Sequence, residues 1–248
     1  MEIYVTAITD KGCIREQNED RILVCDEILQ DGRRDLNISI SNNDKFFIAI
    51  ADGMGGHAAG EIAAEMTLDL MRNRISFLEI DLTDFELKKR IQEIVQEVHN
   101  IIIEESNKNP ERSGMGTTLI GLLFYKEFIY YLNIGDSRLY RFRDDLLVQI
   151  SKDHSLKALT GIQSHIILNC VGGKNDTVFV EFDQVSKKIF EGDILILCSD
   201  GLTDMVPDEE IESILKSSND PAFELVSRAK QNGGIDNISV VTIQILNI

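Results

Sequence analysis

Several apolar runs in this 248-residue chain end on, or begin from, an aspartate beside glycine. Phe46 to Ala51 leads into Asp52-Gly53, Ile194 to Ser199 into Asp200-Gly201, and Tyr130 to Ile134 into Gly135-Asp136-Ser137, while Gly233-Gly234-Ile235-Asp236-Asn237 opens the run from Ile238. Asp-Gly is also tight-turn chemistry, and Gly135-Asp136-Ser137 between two strand-like runs reads most simply as a hairpin. As a set the four mean something else. If folding gathers these strand ends, their anionic oxygens crowd together and need cations to stay ionised. Hard oxygen donors with no accompanying Cys or His pair select Mg²⁺ or Mn²⁺ over zinc. Near the N-terminus Arg15 precedes Asn18-Glu19-Asp20. A guanidinium there suits a phosphate, which it can grip with two parallel hydrogen bonds, although Arg15 and Glu19 equally suit an ordinary surface ion pair.

The elements that would position these residues follow from periodicity. Helical spacing of Ile62, Ala63, Met66 and Leu70 predicts a helix over Ala58 to Ile75. A Thr83-x-x-Glu86 capping box starts a second, with Leu87, Ile91, Ile94, Val95, Val98, Ile101 and Ile102 on one face and Asn109-Pro110 ending it. Pro207 to Lys216 is a short helix, and Asp220, Pro221 and Gly233 frame another. Strands are expected at Ile3–Thr9, Phe46–Ala51, Thr117–Tyr125, Phe128–Asn133, Ser137–Phe142, Val178–Phe182, Asp193–Cys198 and Ile238–Ile245. The polar stretch Asp31 to Lys45 reads as an enlarged hairpin or loop. Adjacent strands interrupted by helix pairs favour antiparallel sheets covered by helices, an α+β architecture. With no repeat or linker, one domain is expected over residues 1–248.

Composition excludes several classes. Acidic residues outnumber basic ones 42 to 25, a net charge of −17, which opposes nucleic-acid binding. No apolar stretch approaches the ~20 residues of a membrane helix, and the N-terminus lacks a secretory pattern, so a cytoplasmic protein without membrane attachment is expected. Cys13, Cys25, Cys170 and Cys198 lack paired spacing and read as free thiols, with Cys198 a buried small hydrophobe and no nucleophile.

Taken in order, the motifs resemble the type 2C metal-dependent Ser/Thr protein phosphatases, especially compact bacterial members. The similarity runs from Gly12-x-x-Arg15-x-x-Asn18-Glu19-Asp20 through Ala51-Asp52-Gly53-Met54-Gly55-Gly56-His57, Gly60-Glu61, Gly114-Met115-Gly116-Thr117-Thr118, Gly135-Asp136-Ser137-Arg138, Asp153-His154-Ser155 and Cys198-Ser199-Asp200-Gly201-Leu202 to Asp236-Asn237-Ile238-Ser239. The resemblance implies a four-layer α/β/β/α sandwich with two Mn²⁺ or Mg²⁺ ions at one end of two central antiparallel sheets. Asp52 would bridge the metals, the Gly53 carbonyl would add a ligand, and Asp200 and Asp236 would hold the second ion. Glu19 and Asp20 would act near the cluster through water, Arg15 would hold the substrate phosphate, Asp136 would serve a third ion, and Asn237 adjoins Asp236. The implied reaction is attack by a metal-bridging hydroxide on phosphoserine or phosphothreonine, without a phosphoenzyme. Phosphorylated proteins are the implied substrates, an opposing Ser/Thr kinase the implied partner, and a monomer the expected state.

Three departures from the family pattern matter. Members with Asp-Gly-His carry a candidate general acid where this chain has Met54, so His57 becomes the candidate acid or a loop-packing residue. A flap expected at about 155–175 looks short, leaving phosphotyrosine open as a substrate. Asp31 to Lys45 is a partner surface or a tolerated insertion. Two other functions compete: an inactive phosphoprotein-binding relative and a hydrolase of small phosphate esters.

Overall fold

The computed structural model describes residues 1–55 and 59–247. Alternating apolar residues open the chain as β1 (Glu2–Asp10), followed by β2 (Asp20–Val24), β3 (Glu27–Leu29), β4 (Gly32–Ser39) and β5 (Lys45–Met54). Two long helices come next, α1 (Ala59–Ser76) and α2 (Asp84–Lys108). Thr83 caps α2 with both halves of the expected capping box, and Asn109 ends it. The chain then builds β6 (Gly116–Thr117), β7 (Leu119–Tyr125), β8 (Phe128–Ile134), β9 (Arg138–Arg143) and β10 (Leu146–Gln149). A short helix α3 (Leu156–Thr160), β11 (Val171–Gly172), β12 (Glu181–Gln184) and β13 (Ile194–Cys198) lead to α4 (Asp200–Thr203), α5 (Asp208–Ser217), α6 (Pro221–Gln231) and the last strand, β14 (Ile238–Asn247).

The strands form two sheets in which every pairing is antiparallel. One has the order β10-β9-β13-β14-β1-β4. The other runs β11-β6-β5-β7-β8-β12, with β2 also paired to β5 and β3 to β2. Period-2 alternation sorts each strand's side chains between two cores. In β5, Ile48 and Ile50 point between the sheets, where they meet Val5, Leu122, Leu197 and Val241. Phe47, Ala49 and Ala51 point the other way, onto Leu68 and Met71 of α1 and Ile91 and Ile94 of α2. On the far side Ile196, Cys198 and Val240 pack on Ile211 and Leu215 of α5 and Leu225 of α6. These three cores separate four layers, helices outside and sheets inside, as expected. Among the described residues no helix is long and apolar enough to cross a membrane. The four cysteines are unpaired, and burial pushes the Cys198 thiol up to about 12.

Three expectations change. Asp31 to Lys45, expected as a hairpin or loop, contains a long strand that pairs elsewhere: Gly32 to Ser39 forms the edge strand β4, in register with β1 from Glu2↔Ser39 to Thr9↔Gly32. The strand expected at Val178–Phe182 lies at Glu181–Gln184 instead. Upstream of it, the Phe179 N–H and carbonyl bond to the side chain of Asn169 and not to a neighbouring strand. Finally, Gly135-Asp136-Ser137 is no hairpin, because β8 belongs to one sheet and β9 to the other. That link crosses the sandwich.

Candidate metal centre

Asp52 and Gly53 lie within β5, where Asp52 pairs directly with Asp20 of β2 and Gly53 with Thr117 of β6. Asp200 is the first residue of α4, Asp236 stands two residues before β14, and Asp136 sits in the link between the sheets. None of these Asp-Gly or Gly-Asp pairs turns a hairpin. All five aspartates gather at one end of the sandwich, close enough that the charges of Asp20, Asp200, Asp236 and Asp136 each act on Asp52.

The backbone there is held by groups that reach across the molecule. Ser199 donates its hydroxyl to Asp20 Oδ2 at 2.8 Å and accepts from the Ser239 N–H at 3.0 Å, joining the two sheets. Asn237 accepts from the Glu19 N–H at 2.8 Å and donates to the carbonyls of Lys11 at 3.0 Å and Gln17 at 2.9 Å. One side chain thus fixes the loop that carries Arg15 and Glu19 against Asp236. Arg21, buried, donates to the Asn18 and Asp20 carbonyls and faces Glu61 and Glu65 of α1. Thr118 Oγ1 accepts from the Asp52 N–H at 3.1 Å and meets Ser137 Oγ at 2.8 Å, tying β5 to the crossing link.

Close approach also dictates the glycines. A Cβ on Gly53 would lie 2.2 Å from the Gly60 carbonyl oxygen, and one on Gly60 would lie 2.8 Å from the Gly53 carbonyl carbon, so α1 starts directly on the strand end. A Cβ on Gly201 would lie 1.9 Å from the Asn237 carbonyl oxygen, which lets α4 rest against the start of β14.

Burial pushes the Asp52 carboxyl well above the usual range, and the charges of Asp20 and Asp200 add to it. Burial likewise raises Asp20 to about 7 despite hydrogen bonds from Ser239 and Ser199. Asp200 also rises to about 7, by burial and then by the charge of Asp136. Asp136 reaches about 6 through burial and the Asp153 charge, and burial also raises Glu19. Asp20 Oδ1 and Asp136 Oδ1 are buried without a hydrogen-bond partner. Crowded, desolvated carboxylates with idle oxygens fit hard divalent cations, which would restore their ionised forms. Among the described residues no three His, Cys, Asp or Glu side chains stand, as placed, close enough together to hold an ion. Arg15 takes one oxygen of Asp236 at 2.6 Å, and the Asn237 N–H takes the other at 2.8 Å.

Of the residues singled out from the sequence, Arg15, Glu19, Asp20, Asp52, Gly53, Asp136, Asp200, Asp236 and Asn237 come together. His57 lies outside the described residues. Sequence reasoning missed the supporting roles of Arg21, Thr118 and Ser199. Thr118 and Ser199 lie within motifs and Arg21 follows one, but their contacts span the chain and leave no local pattern. It also missed a polar cavity of about 370 Å³ beside the cluster, lined by Asp136, Asp200, Asp153, Asp204, Ser164 and His165 among others.

Residues 26–235 match the family model for protein phosphatase 2C. The chain belongs to the protein phosphatase 2C family. It is a serine/threonine protein phosphatase of a metal-dependent family. The serine/threonine phosphatase Stp of Listeria innocua is 33% identical to this 2C phosphatase over an alignment 253 positions long, which covers 95% of this chain and 93% of Stp. The structure of the S. agalactiae serine/threonine phosphatase superposes with a TM-score of 0.80 at 27% identity, covering 98% of this chain and 99% of that one. The catalytic domain of the serine/threonine protein phosphatase PstP, in complex with 2 manganese ions, superposes at 0.77 and 29% identity over the whole of both chains. The last of these carries the similarity past residues 26–235 to the N-terminal motif and Asp236.

Proposed function

We propose that this phosphatase hydrolyses phosphoserine and phosphothreonine on proteins at the aspartate cluster, in one catalytic domain spanning the chain. The observation that carries the reading is the gathering of Asp20, Asp52, Asp136, Asp200 and Asp236, buried and mutually repelling, with the oxygens Asp20 Oδ1 and Asp136 Oδ1 idle. Asp52, the Gly53 carbonyl, Asp200 and Asp236 would hold two Mn²⁺ or Mg²⁺ ions, with Glu19 and Asp20 bearing on them through water and Asp136 serving a third. Such ions, when bound, polarise a water for in-line attack on phosphorus and offset the charge that develops on the phosphoryl oxygens. Arg15, half-exposed at the rim, is free to exchange Asp236 for a substrate phosphate, to which its fork offers two donors. Asn237 and Ser199 hold the acids in place while that exchange happens. His57 is the proposed proton donor to the departing serine or threonine oxygen, which a fall in kcat in His57→Gln would support. The reaction calls on no thiol, and burial, which pushes the Cys198 thiol up to about 12, denies that residue a thiolate near neutral pH.

In the cell we place the enzyme in the cytoplasm as a monomer opposing a Ser/Thr kinase, away from nucleic acid and membranes, in keeping with its charge of −17. Phosphate release from a phosphothreonine peptide with Mn²⁺, with EDTA, and in Asp52→Asn and Asp200→Asn tests the reading. Turnover that needs the metal and falls by about 10³-fold or more in each variant supports it. A folded protein with no turnover on any phosphopeptide would leave a phosphoprotein-binding module in its place, and preference for small phosphate esters would leave a different hydrolase.

A further inference from the structure

Beside the aspartate cluster the surface changes character. Leu159, Ile162, Ile166, Leu168 and Phe179 are all exposed, Leu159 at 75% and Phe179 at 63%, on a chain whose net charge is −17. Clustered exposed apolar side chains mark interaction sites more often than scattered ones do. Three of them, Leu159, Leu168 and Phe179, line an open cleft of about 720 Å³ together with Ala158 and His154. The cleft adjoins the polar cavity beside the aspartate cluster, with Asp153 and Ser155 lining both. The ridge these two residues form is fixed. Arg138 grips the Asp153 carboxylate with Nε at 3.0 Å to both oxygens and Nη2 at 2.7 Å, Gln149 adds a bond at 2.7 Å, and Ser155 caps α3.

The cleft is also built before anything enters it. His154 Nδ1 accepts from the Gly135 N–H at 3.2 Å and lies 3.0 Å from Asn169 Nδ2. Asn169 in turn donates to the Phe179 carbonyl at 2.8 Å and accepts the Phe179 N–H at 3.0 Å. The His154 and Phe179 rings meet edge-on at 5.4 Å. Gly135 directly precedes Asp136, so the same imidazole supports the acidic cavity on one side and the apolar wall on the other.

We propose that this cleft receives an apolar side chain of the phosphoprotein substrate, a Leu, Ile, Val, Met or Phe flanking the phosphorylated residue, and thereby selects among phosphorylated sequences. The inference rests on the aspartate cluster being the phosphate site, since a peptide anchored there must leave along an adjoining surface. Lys152 and Asp153 also stand in the lining, but its exposed surface is mostly apolar, so Leu at that peptide position gains a burial that Asp or Glu does not, and the selection favours the apolar residue over the acid.

A positional set of phosphothreonine peptides tests this, each carrying Leu or Asp at one position from four before to four after the phosphothreonine, with Mn²⁺ present. In the wild-type enzyme at least one position prefers Leu by roughly tenfold in kcat/KM, the selectivity one well-seated apolar group supplies. In Leu159→Asp and in Phe179→Ser, both at exposed positions, that ratio falls to about one. Because it compares two peptides on one enzyme, an overall loss of activity cancels. Wild-type turnover with no preference at any position, or a preference unchanged in both variants, overturns the inference while leaving the phosphatase site intact. Absence of turnover on every peptide takes down the site itself. Sedimentation at assay concentration supplies the remaining outcome: a wild-type dimer that Leu159→Asp dissociates would make this face a self-association surface and not a substrate cleft.

Discussion

The aspartate end and the 155–179 rim lie side by side and are built by opposite rules. At the aspartate end, strand termini from both sheets are locked by Asn237, Ser199 and Thr118, with glycines wherever two backbones nearly touch. Along the rim a five-residue helix and an isolated bridge between Ser155 and Ile167 carry apolar side chains into solvent. The first arrangement tolerates almost no change in shape or volume. The second offers a surface whose side chains can vary without disturbing what holds them. Chemistry and recognition are thus assigned to parts of the molecule with different tolerance.

The contrast is broken most severely by Gly201→Ala. Its new Cβ would collide with the Asn237 carbonyl, a backbone atom, so we expect about 1–3 kcal/mol of lost stability by denaturant unfolding and most of the activity lost with it. Asn237→Ala should act next. It strips partners from the Glu19 N–H and from the Lys11 and Gln17 carbonyls, and should lower activity about 10–100-fold while raising the Mn²⁺ concentration needed for half-maximal turnover. A smaller effect follows from charge. Asp20 and Asp200 titrate at about 7 in the fold, against about 3.9 in an unfolded chain, so the fold binds protons that the unfolded state has released. Metal-free stability should therefore decline as pH rises from about 4 through 7. Thermal scans with and without Mn²⁺ should show a larger stabilisation at pH 8 than at pH 5.5, and an equal one at both would refute the electrostatic account. Smallest of all, Ile162→Ser on the exposed rim should change stability by less than about 0.5 kcal/mol. A large loss there would mean that the rim is as tightly built as the aspartate end.

The sequence made some of this plain and hid the rest for physical reasons. Long amphipathic helices such as α2 announce themselves through period and cap, and the central strands through apolar runs buried on both faces. The edge strand β4 does not, since its residues are mostly exposed and Arg33, Arg34, Asp35 and Asn37 dominate it. The acids of the site were legible by type, yet each looked like a turn until the strands around it were placed. Gly135-Asp136 shows why: whether it turns a hairpin or crosses between sheets depends on which sheet claims β9, a decision made by pairing with β13, far along the chain. The same distance conceals Ser199 and Arg21, whose roles exist only after the two sheets stack.

One further consequence concerns how such a molecule is made. The strand β14 lies between β13 and β1 at the middle of its sheet, yet it is the last strand of the fold to leave the ribosome. Until it emerges, β1 has no neighbour on that side, and Asp236, just ahead of it, has no fixed place. A nascent chain can assemble α1, α2 and the second sheet early, but it cannot become a phosphatase before β14 is threaded home, so a copy translated only as far as α6 has no complete site with which to act on phosphoproteins.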